Sequence, residues 1–200
     1  MQTVEVVERD SDKAVQVSTK QACFDRLMSA RGNYPNDFYL ARILSSWISG
    51  DGVLPANLGL SRDDFHQLVA RHFVENRILI EVSNKPEFDR ERIPEWEDLV
   101  NLMVEFRAGD DVSEPLMAQI VAAACMGLDH LWQDLGLWSR GELTEVLTLN
   151  FPKLARLNNK DMKWKKFLYK QLCERDGTFV CRAPSCDVCA DYQVCFGPEE

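Results

Sequence analysis

Apolar residues recur at three- and four-residue intervals along most of this chain, the period of helices with one buried face. The first run carries Leu27 and Met28, then Phe38, Tyr39, Ile43, Leu44, Trp47 and Ile48, and Asp51-Gly52, Pro55 and Gly59 interrupt it. Ser61 followed by Asp64 has the form of a helix-capping pair and opens a helix with Phe65, Leu68, Val69 and Phe73 on its apolar side. Residues 76–93 are less regular; Ile78, Leu79, Ile80 and Val82 read as a short strand or a helix end. Pro94 suits the first turn of a helix through Leu99, Leu102, Met103 and Phe106, which Gly109-Asp110-Asp111 ends. Ser113 and Pro115 open a long apolar helix through Ile120, Val121, Ala124, Leu128, Leu131 and Trp132, closed by Gly136.

A second capping pair, Ser139 and Glu142, starts a helix with Leu143, Val146, Leu147 and Leu149. Phe151-Pro152 makes a corner. From Lys160 to Arg175, Met162, Trp164, Phe167, Leu168 and Leu172 form a last buried stripe, and after Gly177 the periodicity stops. The pattern predicts an all-α fold of seven or eight helices. It comprises a loosely ordered acidic arm over 1–20, one helical body over 21–176, and an irregular cysteine-rich tail over 177–200 packed on the basic helix.

With 200 residues, 46% hydrophobic and 28% charged, the chain has the composition of an ordinary globular protein that folds without needing a metal or disulfides. The longest apolar stretch, around Ile120 to Met126, is too short to span a bilayer, and no export signal opens the chain, so a cytoplasmic protein is expected. A net charge of −9 argues against a general binder of nucleic acid or anionic membrane.

Seven cysteines change the picture, because five of them fall in the last twenty-eight residues. Cys181, Cys186, Cys189 and Cys195 read C-x4-C-x2-C-x5-C. In a reducing compartment such clustering indicates metal ligation before disulfides. Four thiolates select zinc, cuprous copper or an iron–sulfur centre. The short, unequal loops favour iron–sulfur over a two-knuckle zinc site, and C-x4-C-x2-C is the spacing of plant-type ferredoxins. Ser185, Val188 and Ala190 offer backbone N–H groups to sulfur, Pro184 stiffens the first loop, and Gly197-Pro198 ends the wrap. Cys173, eight residues upstream, reads as a core cysteine or as a fifth, exchangeable ligand.

Three sequence blocks make the chain resemble one family. KWKKFLYKQLCERDG from Lys163, leading into the four-cysteine run and FGPEE, is similar to the NifQ family of nitrogen-fixation proteins; so are DHLWQDLGLWSRGELTEVL at 129–147 and NFPKLARLNNKDMKWKKF at 150–167. The resemblance covers roughly residues 113–200 and nothing in the arm or in 76–93. It implies a molybdenum carrier for the nitrogenase iron–molybdenum cofactor, with Cys181, Cys186, Cys189 and Cys195 holding a four-iron–four-sulfur or molybdenum–iron–sulfur cluster. It also implies molybdate or another molybdenum donor as the source, and the cofactor scaffold complex and nitrogenase iron protein as partners.

Lys153 to Arg175 holds eight basic residues against Asp161 and Glu174, a net of +6 in an acidic chain. Such a segment is a solvated helix face, or it docks an acidic partner, attracts molybdate or offsets a thiolate-bound cluster. His130, four residues before Asp134 in the apolar helix, is a satisfied interior group or a metal ligand oriented by that carboxylate. His66 and His72 are six apart, a spacing that suggests no joint chemistry, and Trp132, Trp138 and Trp164 read as core. No catalytic motif is present, so an enzyme is not expected. Two competing readings remain. In one, a zinc-stabilised helical adaptor uses the same four cysteines structurally; in the other, a cluster-based redox sensor lacks any visible output module.

Overall fold

The computed structural model describes residues 20–73, 85–89 and 94–175, and among them every regular element is helical. Residues 20–29 form α1. Then follow α2 (Asp37–Ile48), a 3-10 turn (Ala56–Gly59), α3 (Arg62–His72), α4 (Trp96–Glu105) and α5 (Glu114–Ala124). The C-terminal half adds α6 (Leu131–Asp134), α7 (Arg140–Asn150), α8 (Pro152–Leu157) and α9 (Trp164–Arg175). The one strand-like feature among the described residues is an isolated antiparallel bridge between Arg31 and Phe73. No helix among these is long and apolar enough to cross a membrane.

Local chemistry starts the helices where the sequence places them. Ser61 Oγ accepts from the Asp64 N–H at 3.1 Å, and Ser139 Oγ accepts from the Glu142 N–H at 3.2 Å, each satisfying a donor that the first helical turn leaves open. Gly136 has φ +76°, and a Cβ there would meet the Ser46 side chain at 2.6 Å. The glycine therefore ends α6 and lets the chain pass close to α2.

Packing joins the apolar faces into one core. Leu27, Leu40, Ile43, Trp47, Phe65, Phe73, Leu99, Leu102, Ile120, Val146, Phe151 and Phe167 are all buried in it. α5 lies inside this core, with Met117 through Ala124 buried save one residue; α4 packs against both α5 and α9. One polar cluster inside is paired. The Asn36 and Asn150 amides bond reciprocally at 2.7 and 2.9 Å, and Asn36 also donates to Ser113 Oγ at 2.9 Å, tying α2, α5 and α7 together. This pairing is why Asn36, at the N-cap position of α2, makes no side-chain cap.

Four expectations need adjustment. The long helix predicted through Leu128 and Trp132 stops at Ala124, and Leu128 is 90% exposed. Lys165 captures the carbonyls of Gly127 and Asp129, acceptors that a continuous helix would need for itself. Phe151-Pro152 is more than a corner: Pro152 is the first residue of α8, a position where its missing N–H costs nothing. Leu149 and Ile48 belong to the helical periodicity but stand at the margin of the core, partly exposed. With α6 and α8 the described residues hold nine α-helical segments, more than the seven or eight predicted, because α6 is split off the predicted long helix and α8 starts at what reads as a corner.

Candidate metal centre and its mounting

Cys181, Cys186, Cys189 and Cys195 lie outside the described residues, as do the arm up to residue 19 and residues 74–84 and 90–93. What the structure describes is α9, the helix from which the tail continues. It is fixed at its start. Trp164 and Phe167 are buried and meet edge to face at 5.6 Å, and the Trp164 indole N–H donates to Thr144 Oγ1 at 3.3 Å. The turn ahead of α9 is bracketed by Asn158, which donates to the Met162 carbonyl at 2.9 Å and accepts from the Met162 N–H at 2.8 Å.

Lys165 is the strongest tie. Its ammonium donates to the Gly127 and Asp129 carbonyls, both at 2.8 Å, and bonds the buried carboxylate of Asp134. Burial pushes the Asp134 carboxyl up while the Lys165 ammonium pulls it down. A Cβ at Gly127 would run into the Asp134 carboxylate, so only glycine lets the loop close over the ion pair. Cys125 sits against this pair. It is buried, and desolvation pushes its thiol up to about 12, which makes it an inert packing group rather than a thiolate ligand.

The basic segment divides accordingly. Within α9, Lys165 is engaged internally, Arg175 pairs with Glu105 at 2.8 Å and Lys170 approaches Glu174 at 3.5 Å. Lys153, Arg156 and Lys160 are exposed and pair with no carboxylate among the described residues. Asp161, the acid nearest them in sequence, is held by Arg140 at 2.7 and 3.1 Å.

His130 is not the satisfied interior group that the helical pattern suggests, nor does Asp134 orient it as the alternative reading, a metal ligand, would need. It is exposed at the N-cap of α6, its N–H donating to Gln133 Oε1 at 3.2 Å, and the Asp134 carboxylate belongs to Lys165. Cys173 is half-buried on α9, two residues before its end. Trp164 is core, whereas Trp132 and Trp138 are only half-buried; Trp138 stacks on the Arg42 guanidinium at 3.6 Å. No group of three or more histidine, cysteine or acidic residues among the described residues is placed to hold a metal.

Sequence reasoning missed a second buried pair. His72 Nδ1 lies 2.6 Å from Asp37 Oδ1 with both side chains almost fully enclosed, and burial pushes the imidazole below its ordinary range despite the neighbouring carboxylate. Neutral His72 thus donates from Nδ1 to Asp37, whose other oxygen accepts from the Tyr34 N–H at 2.8 Å. The partners are 35 residues apart, and no local signal joins them.

A family model described as NifQ matches residues 39–197, a span that includes all four tail cysteines and begins well before the blocks at 113–200. Protein NifQ of Azotobacter vinelandii is 45% identical over 185 residues, covering 88% of this chain and 95% of its own length. Protein NifQ of Klebsiella pneumoniae is 35% identical over 170 residues, covering 79% of this chain and 96% of the relative. A NifQ homolog of Sinorhizobium fredii is 37% identical over 161 residues, 80% of this chain and 70% of the relative. No solved structure matches.

Proposed function

The chain belongs to the NifQ family of nitrogen-fixation proteins, and from that premise we propose that it carries molybdenum for assembly of the nitrogenase iron–molybdenum cofactor. The observation that carries this reading is the C-x4-C-x2-C-x5-C run inside the family match. Its donors are all sulfur, and no competing ligand group stands among the described residues, so the donor chemistry fits an iron–sulfur centre at Cys181, Cys186, Cys189 and Cys195. Such a centre supplies sulfide and thiolate coordination for molybdenum, which arrives as molybdate, a hard oxyanion, or from another molybdenum donor.

The protein's part is to hold and release. Four thiolates grip a soft metal tightly yet yield to protonation or to an incoming thiolate, so one of the four serves as the labile ligand during transfer. The body contributes a fixed mount: Lys165 and Trp164 lock the start of α9, ten residues before the helix ends and the tail begins. The inert Cys125 keeps a thiol from competing for the metal. Delivery goes to the cofactor scaffold complex, with the nitrogenase iron protein as a further partner, and the chain acts as carrier rather than enzyme.

Anaerobic purification followed by iron, sulfide, molybdenum and zinc quantification on one sample tests this reading. Iron with stoichiometric sulfide, and molybdenum that disappears in Cys186→Ser or Cys189→Ser, is the expected result. About one zinc per chain without sulfide overturns it and makes the tail a structural knuckle.

A further inference from the structure

We propose that α8 and the turn after it form the docking surface for an acidic protein, with Leu157 as its apolar centre and Lys153, Arg156 and Lys160 as its cationic rim. Naming that protein as the acceptor of the cargo rests on the carrier reading above; the surface itself rests on charge and exposure.

Four observations converge. Lys153, Arg156 and Lys160 are exposed and pair with no carboxylate among the described residues, in a chain of net charge −9. The acids of α7, which packs on α8, and of the turn before α9 have partners of their own: Asp161 has Arg140, Glu142 has Arg42 at 3.2 Å, and Glu145 has the Tyr39 hydroxyl at 3.0 Å. Leu157 is 50% exposed and lies four residues after Lys153, with Arg156 three after it, so helical spacing sets both the leucine and the second cation beside Lys153. The Asn158–Met162 bracket and the Arg140–Asp161 pair hold the turn that carries Lys160, which lowers the ordering cost of binding.

The arrangement selects a protein over a small oxyanion. Molybdate alone needs donors converging in a concavity, whereas here the cations flank a leucine whose burial requires a macromolecular surface. A partner surface rich in carboxylates, with an apolar contact at its middle, matches both features: the charges steer encounter and the leucine is desolvated on docking. Nucleic acid fits less well, since the rest of the chain is acidic and would repel it.

The test titrates the intact, anaerobically purified protein against the cofactor scaffold complex at low and physiological salt. The variants are Lys153→Glu/Arg156→Glu/Lys160→Glu, the corresponding triple alanine, and Leu157→Ala. The reversal is expected to weaken binding about tenfold or more at low salt and to flatten the salt dependence. Triple alanine should do the same to a smaller degree, and Leu157→Ala should weaken binding without changing the salt dependence. Melting temperature and iron content should stay at wild-type values in all three. Equal affinity for wild type and reversal, no association of wild type with the scaffold, or tighter binding to random-sequence duplex DNA than to the scaffold would each overturn the proposal. A preparation without iron or sulfide that still shows charge-dependent association would sink the carrier reading and leave the surface standing.

Discussion

The two halves of the basic segment, alike in composition, do opposite work in the fold. In α9 cations are engaged by the fold itself: Lys165 is tied to two carbonyls and a buried carboxylate, and Arg175 reaches Glu105 on α4. In α8 and its turn, Lys153, Arg156 and Lys160 face solvent around a half-exposed leucine. A lysine's value thus depends on what desolvates it. Lys165, with a fifth of its side chain exposed, neutralises a carboxylate that is 1% exposed, so its loss leaves a buried charge. The exposed three interact weakly with their own chain and are available to another.

Breaking the inward half should have the largest effect. Lys165→Met strands the Asp134 carboxylate and should cost about 3–5 kcal/mol in urea denaturation, with Asp134→Leu added to it restoring much of the loss. Gly127→Ala attacks the same tie from the loop side, forcing the new Cβ against Asp134, and should cost about 1–3 kcal/mol by the same measurement.

Acid titration tests whether that inward tie is the body's only sensitive charge pair. His72, faced by Asp37, Arg71 and Asp111, binds its proton less readily folded than unfolded, because burial depresses its pKa. The unfolded chain therefore holds the extra proton in the window just below about pH 6.5, and stability should fall as pH drops through it. His72→Asn should flatten that slope, and a slope surviving the substitution would assign it to another group. The outward half should show the smallest effect: reversing Lys153, Arg156 and Lys160 should change unfolding free energy by no more than about 0.5 kcal/mol, since exposed charges contribute little. A loss comparable to that of Lys165→Met would erase the distinction between the halves.

How much of this was legible in the sequence follows from the range of each interaction. The Ser61 and Ser139 caps act over three residues, and both stand where the sequence places them. The buried stripe Trp164, Phe167, Leu168 and Leu172 is likewise local and correct, with Tyr169 added to it and Met162 at its edge. The interruption after Ala124 was not legible. Its cause is an ammonium 36 to 38 residues away that takes the loop carbonyls, and the apolar run alone reads as continuous helix. The same holds for Asn36 with Asn150, and for His130 against Asp134, where a plausible helical spacing yields to a distant lysine. The division of the basic segment was invisible for the same reason. Composition counts charges but does not say which of them the fold encloses. The four-cysteine run is legible as donor chemistry, and the family match spans it.

The most direct test of molybdenum carriage is a transfer experiment. Protein loaded anaerobically with radiolabelled molybdenum is mixed with the cofactor scaffold complex, and the two are separated and counted. The account predicts that label moves to the scaffold from wild type, moves more slowly from the Lys153/Arg156/Lys160 reversal, and is never acquired by Cys186→Ser or Cys189→Ser. Label that stays with the wild-type protein, or that the cysteine variants bind and pass on as well as wild type does, would contradict it.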